Sequence, residues 1–161
     1  MSDINIRNVT SNDVSVLHEL AKNNYPLDVH TPHTYWVLTK YFSDTCFILE
    51  VNGKPQGFLT AMTTPEYVFA WQLGINEEYR GKDFAVLLFD KLVEVAKLKN
   101  LYISLTIAPD NRASFKCMKK YCDKRKYKFK RYDECVISMP DSIKDTLDYK
   151  GYESVYLISF E

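Results

Sequence analysis

The stretch YVFAWQLGINEEYRGKDFA, Tyr67 to Ala85, decides the reading of the fold. Its first part, Tyr67 to Ile75, is dense in aromatic and β-branched residues, the composition of a buried strand. Asn76, Glu77 and Glu78 break the apolar run, Arg80-Gly81-Lys82 follows, and from Phe84 to Leu98 apolar residues recur at helical spacing. The order is strand, short loop, helix. A helix N-terminus behind a buried strand offers unpaired backbone N–H groups and the positive end of its dipole, a setting that suits a phosphate group. Any α/β protein has such junctions, so geometry alone leaves a phosphate site and a plain structural junction both open.

Upstream, Cys46 to Val51 predicts a strand, Asn52-Gly53 a tight hairpin turn, and Gly57 to Met62 the partner strand, with Pro65 as punctuation before Tyr67. Further back, Ile4, Ile6 and Val9 mark a short first strand. Ser11-Asn12-Asp13 offers an N-cap to a helix carrying Val14, Leu17, Leu20 and Ala21. Pro26 and Pro32 bracket a loop, after which Thr34 is expected to cap a helix with Trp36, Val37, Leu38, Tyr41 and Phe42. Downstream, Leu101 to Ile107 predicts a strand, Asn111 to Cys122 a helix, and Glu153 to Phe160 an alternating last strand. The fold class expected is α+β, in three layers: a mixed, mostly antiparallel central sheet flanked by helices. Residues 1–161 are expected to form a single domain, with no repeat or low-complexity tract.

The chain is 46% apolar and 26% charged with zero formal net charge, which argues against a global field for nucleic acid or an anionic membrane. The run Lys119 to Arg131 is basic and interleaved with Tyr121, Tyr127 and Phe129; a solvated helix end and strand with inward aromatics explains it better than nucleic-acid binding. No apolar stretch approaches a membrane span, and MSDINIRNVT lacks a signal-peptide core, so no membrane and a cytoplasmic location are expected. The four cysteines, Cys46, Cys117, Cys122 and Cys135, form no C-x-x-C pair and no zinc spacing with the histidines; reduced structural thiols and no metal are expected.

The loop Asp28-Val29-His30-Thr31-Pro32-His33 gathers a carboxylate and two imidazoles. Loops carry functional polar groups more often than core elements do, but an Asx turn with two solvated histidines accounts for the same residues.

Arg80-Gly81-Lys82-Asp83-Phe84-Ala85 resembles the acetyl-CoA-binding segment of the GCN5-related N-acetyltransferase (GNAT) superfamily, Gln/Arg-x-x-Gly-x-Gly/Ala at the start of the central helix. Arg80 and Ala85 match; Asp83 stands where the middle glycine is expected. The resemblance implies that residues 80–85 wrap the CoA pyrophosphate with backbone N–H groups, with Leu73 and Ile75 along the thioester and a Leu73 N–H as oxyanion donor. Asp83 either turns outward as the helix N-cap, leaving its N–H for phosphate, or weakens CoA binding by repulsion. The resemblance also extends to Asn111-Arg-Ala-Ser114, placing Asn111 and Ser114 beside CoA. Where many members have a tyrosine that protonates the departing thiolate, this chain has Met118; Tyr121, about one helical turn on, is a weak substitute.

Separated pieces are similar to one subfamily, the L-2,4-diaminobutyrate acetyltransferases of ectoine biosynthesis: Leu27-Asp28 with Thr31-Pro32 and Tyr35; Asp44-Thr45-Cys46 with Gly57-Phe58; Phe69-Ala-Trp71-Gln72; and Thr106-x-x-Pro109-x-Asn111-x-x-Ser114. His30 and His33 replace an asparagine and a tyrosine, Ser104 replaces a glutamate, and Lys150-Gly151 stands near the subfamily's His-Glu. The resemblance implies acetyl transfer from acetyl-CoA to a primary amine of a small amino-acid-like metabolite, with L-2,4-diaminobutyrate foremost. Asp28 would hold the acceptor's ammonium; Asp28, His30 or His33 would take its proton; Tyr35, Trp71 and Ser104 would line its pocket. A homodimer is implied as well. Another small amine (a polyamine, another diamino acid or an aminoglycoside) is the alternative acceptor. A degenerate acyl-CoA-binding or interaction protein without turnover is the alternative class.

Overall fold

The computed structural model describes residues 1–136 and 152–160. Lys150-Gly151 lies outside them. Among the described residues seven strands and four α-helices follow one another as β1 (Ile4–Asn8), α1 (Val14–Lys22), α2 (Pro32–Tyr41), β2 (Phe47–Val51), β3 (Lys54–Thr63), β4 (Tyr67–Ile75), α3 (Phe84–Leu98), β5 (Tyr102–Ile107), α4 (Arg112–Arg125), β6 (Lys128–Val136) and β7 (Tyr152–Ser159). They fall into two compact units, Met1–Leu101 and Tyr102–Glu161.

In the first unit β1, β2, β3 and β4 are successive antiparallel neighbours. Asn52 and Gly53 turn β2 into β3 with φ of 51° and 73°, the two positive angles that a two-residue hairpin needs to match strand twist. β2 is buried at four of its five positions because helices cover it. α1 presents Leu17, Leu20 and Ala21 inward, and α2 presents Tyr35, Leu38 and Thr39. With Val9, Cys46, Ile48 and Phe58, the apolar members of these two faces form one buried cluster. α3 buries Phe84, Leu88, Phe89, Leu92, Val93 and Ala96, the helical stripe of its sequence.

One expected cap holds by position and one moves: Asp13 stands at the N-cap of α1, with no side-chain cap bond there, while the cap of α2 shifts. The entry to α1 is a short 3-10 turn, Ser11–Asp13, capped by Thr10: the Asn12 N–H donates to the Thr10 hydroxyl, and the Thr10 N–H donates to the Asp13 carboxylate at 2.7 Å. Asp13 is thereby buried, and Arg7 pairs with it at 2.8 Å while its Nε reaches Glu50 at 2.8 Å. The hydrogen bond from Arg7 is the main cause holding the Asp13 carboxyl below the usual carboxylate range. α2 starts three residues earlier than expected: Thr31, not Thr34, is its N-cap, accepting from the Thr34 N–H, and Pro32 takes the first turn, where its missing N–H costs nothing.

In the second unit β7 pairs antiparallel with both β5 and β6. α4 buries only Tyr121 and Cys122. The basic run spans the end of α4 and the start of β6, linked by Lys126 at φ 60°. Tyr121 is buried and Tyr127 and Phe129 are half-buried, as a solvated basic run with inward aromatics requires. Burial raises the Cys46 thiol to about 12 and the Cys122 thiol to about 11, so both stay protonated structural thiols. All four cysteines are free.

Candidate active site

β4 carries the site because it is irregular. Thr60 pairs with Gln72 but Ala61 pairs with Ala70, so Trp71 is an extra residue in the ladder, a β-bulge. A bulge bends its strand and re-aims side chains. Trp71 emerges 37% exposed, while its neighbour Gln72 is buried. That exposure keeps the Trp71 ring out of the core.

His30 lies on Trp71, ring centroids 4.3 Å apart, and 5.9 Å from the ring of Tyr35. The contact is built from below. Tyr35 is fully buried, and its hydroxyl donates to Gln72 Oε1 at 3.2 Å and accepts from the His30 N–H at 3.4 Å. Gln72 Nε2 donates to the Asp28 carbonyl at 2.6 Å. The Asp28 side chain is exposed at the head of this loop. Burial is the larger influence on the His30 imidazole and pushes its pKa below 6.5, with Asp28 opposing. His30 is therefore neutral at pH 7, and its Nε2 is buried without a partner among the described residues.

The two histidines are separated by the shift in the start of α2. His33 is on the helix, exposed, and stacks on Trp36 at 5.6 Å. The expectation that both imidazoles share one loop is corrected, since Thr31-Pro32 already begins the helix. Tyr35 also changes role: its hydroxyl is spent on Gln72 and His30, beneath the loop.

After β4 the chain builds a different kind of surface. Leu73 is half-buried and Ile75 buried at the end of the strand. Gly74 between them has no room for a side chain: a Cβ there would sit 2.7 Å from Phe58 Cε1 and 2.9 Å from Asn24 Cγ. Arg80 turns inward, its Nε donating to the Ile75 carbonyl at 2.9 Å and a terminal nitrogen to Asn24 Oδ1 at 3.3 Å. Gly81 has φ 75° and Asp83 φ 60°, both left-handed, and Phe84 opens α3 with its ring buried. Lys82 lies over the Tyr79 ring at 5.0 Å. Asp83 is the N-cap residue of α3 and is exposed, as one of the two expectations had it, but its side chain makes no capping bond. What the position demands is a positive φ, which glycine meets freely and aspartate tolerates better than most residues. The backbone N–H groups of 81–86, Ala85 included, have no hydrogen-bond partner among the described residues. Unpaired N–H groups at a left-handed turn and helix start form an anion-binding surface, so these residues fit a pyrophosphate.

In the second unit Ser104 is buried on β5, opposite Leu157. Asn111 caps α4, its side chain accepting from the Ser114 N–H at 3.1 Å. Met118 is half-buried, and Tyr121 is buried under Arg125, 4.0 Å from its ring, which leaves it poorly placed to act as an acid. Among the described residues no cluster could hold a metal ion, and no helix is long and apolar enough to cross a membrane.

Gln72 and the bulge at Trp71 were missed in the sequence. A signal for Gln72 existed: a polar residue in an otherwise apolar strand must find a buried partner.

A model of the acetyltransferase (GNAT) family matches residues 14–123. An L-2,4-diaminobutyric acid acetyltransferase of Marinococcus halophilus is 37% identical over 120 residues, 72% of this chain and 69% of that one. Another from Halalkalibacterium halodurans is 34% identical over 115 residues, 69% of this chain; the match spans 60% of that relative's length. Among solved structures, the diaminobutyrate acetyltransferase EctA from Paenibacillus lautus, in complex with its substrate L-2,4-diaminobutyric acid and coenzyme A, aligns with a TM-score of 0.79 at 23% identity, covering 99% of this chain and 96% of that one.

Proposed function

The chain belongs to the acetyltransferase (GNAT) family, and from that premise we propose that it transfers the acetyl group of acetyl-CoA to a primary amine of L-2,4-diaminobutyrate, giving N4-acetyl-2,4-diaminobutyrate. The observation that carries the reading is the pairing, in one unit, of two fitted surfaces. One is the row of unpartnered N–H groups at 81–86, suited to a pyrophosphate; the other is the Asp28–His30–Trp71 arrangement, suited to an ammonium group. The sequence relatives are named for this acceptor.

Residues 80–85 bind the pyrophosphate through the backbone, Leu73 and Ile75 line the thioester, and a Leu73 N–H stabilises the charge that develops on its carbonyl oxygen. The resemblance of Asn111-Arg-Ala-Ser114 to the family's motif supports a CoA contact for Asn111 and Ser114. Asp28 attracts the acceptor's ammonium, and Trp71 forms a wall of its pocket. The ammonium gives a proton to neutral His30 or, through water, to Asp28; the freed amine attacks the thioester carbon; the C–S bond breaks, and the second proton, shed by the attacking nitrogen, passes through water to the CoA thiolate, since Met118 has none to give.

Residues 1–161 work as one domain, supported by a family match that runs across both units. A homodimer is supported by the exposed aromatic row His33, Trp36 and Tyr41 on α2. Four free cysteines support a reducing, cytoplasmic setting. Release of CoA thiol from acetyl-CoA, measured with 2,4-diaminobutyrate, ornithine, lysine and spermidine, tests the reading. Selective turnover of diaminobutyrate is expected; preference for another amine reassigns the acceptor, and CoA binding without turnover of any amine removes the enzymatic reading.

A further inference from the structure

The Asp28–His30 loop is tied to the protein through a closed set of hydrogen bonds. At one end the Asp28 carbonyl accepts from Gln72 Nε2; at the other the His30 N–H donates to the Tyr35 hydroxyl; Tyr35 and Gln72 then bond to each other. Three elements meet there: the loop, α2 through Tyr35, and the bulged part of β4 through Gln72. Both side chains are buried, Tyr35 at 0% and Gln72 at 5% exposure. The chemistry of the set is exacting. Residue 72 must accept from a hydroxyl and donate to a carbonyl, which an amide does and a carboxylate or a hydrocarbon does not. Residue 35 must donate and accept through one oxygen, which a phenol does and a phenyl does not.

We infer that Tyr35 and Gln72 are positioning residues for the acceptor: they touch no reacting atom, but pin the 28–30 loop so that the Asp28 head and the His30 ring are held against Trp71. The unpartnered His30 Nε2 is the group this pinning leaves ready for the substrate's amine. The inference rests on the proposed acetyl transfer for its kinetic consequence, though not for the pinning itself. It also explains why an apolar strand carries a glutamine beside an exposed tryptophan.

Tyr35→Phe keeps the ring in the core and deletes the hydroxyl; Gln72→Met keeps the volume and deletes the amide. Each is expected to raise the KM for the diamino acid about tenfold while leaving the KM for acetyl-CoA unchanged. The double variant is expected to be no worse than the worse single one, because the two side chains act as a unit. Equal increases in both KM values, or additive effects, overturn the inference. A readout independent of turnover is the NMR titration of the His30 ring: its pKa lies below 6.5 in the parent protein and is expected to rise toward 6.5 in Tyr35→Phe as the loop loosens. An unmoved His30 titration overturns the pinning even if the kinetics change. If the parent protein acetylates no diamino acid while the His30 pKa still rises in the variant, the pinning stands and the proposed function falls.

Discussion

On the proposed acceptor side, between the 28–30 loop and Trp71, side chains do the holding; on the proposed cofactor side, from Arg80 to Val86, the backbone does. Tyr35 and Gln72 are buried and matched donor to acceptor, so each is chemically specified. Gly81 and Asp83 are exposed, and what matters there is φ, 75° and 60°. A surface made of N–H groups tolerates a change of side chain wherever the new residue can adopt the angle. That difference explains how an aspartate can stand at a glycine position of the acetyl-CoA motif without closing the turn. It also explains why changes on the acceptor side should act on one substrate at a time.

The comparison can be broken most severely at Asp28. Asp28→Ala is expected to raise the KM for the diamino acid about 100-fold, the loss of a charge-assisted bond to an ammonium, with the acetyl-CoA KM essentially unchanged. A comparable rise in both values would show that the two surfaces are not separately built. Next is Arg80→Ala, which removes the donors to the Ile75 carbonyl and Asn24. Steady-state kinetics should show an acetyl-CoA KM about tenfold higher and an unchanged acceptor KM, because the loop that presents the N–H groups loosens. The smallest effect is expected from Asp83→Gly. Glycine adopts the left-handed angle without penalty and removes a carboxylate from the phosphate surface, so CoA affinity measured by calorimetry should improve about threefold to fivefold, close to 1 kcal/mol. Weaker binding would mean that the Asp83 side chain takes part in holding the turn.

Much of this was legible in advance, and the misses have physical causes. The strand-loop-helix order of Tyr67 to Leu98 and the Asn52-Gly53 hairpin follow from local period and turn chemistry, which need no knowledge of distant residues. Thr31-Pro32 carries the signal for the start of α2, a cap residue followed by a proline in the first turn, but Thr34 is also a cap by residue type, and local sequence does not choose between them. Asp83 stands at the N-cap, a place aspartate favours, but it serves there through its tolerance of positive φ and not through a side-chain bond. Tyr35 was expected to face the acceptor, but the hydroxyl points to partners on β4 and in the loop.

The sequence by itself determined the α+β order of elements, the family and the loop proposed to meet CoA, since these depend on short-range patterns and on residues adjacent in the chain. Only the tertiary structure decided how the acceptor side is held. Residues 28, 30, 35 and 72 are brought together by packing α2 beneath the loop and by one extra residue in β4. Neither the partner of a buried hydroxyl nor the register of a strand pair is written in local sequence; both are set when the core closes.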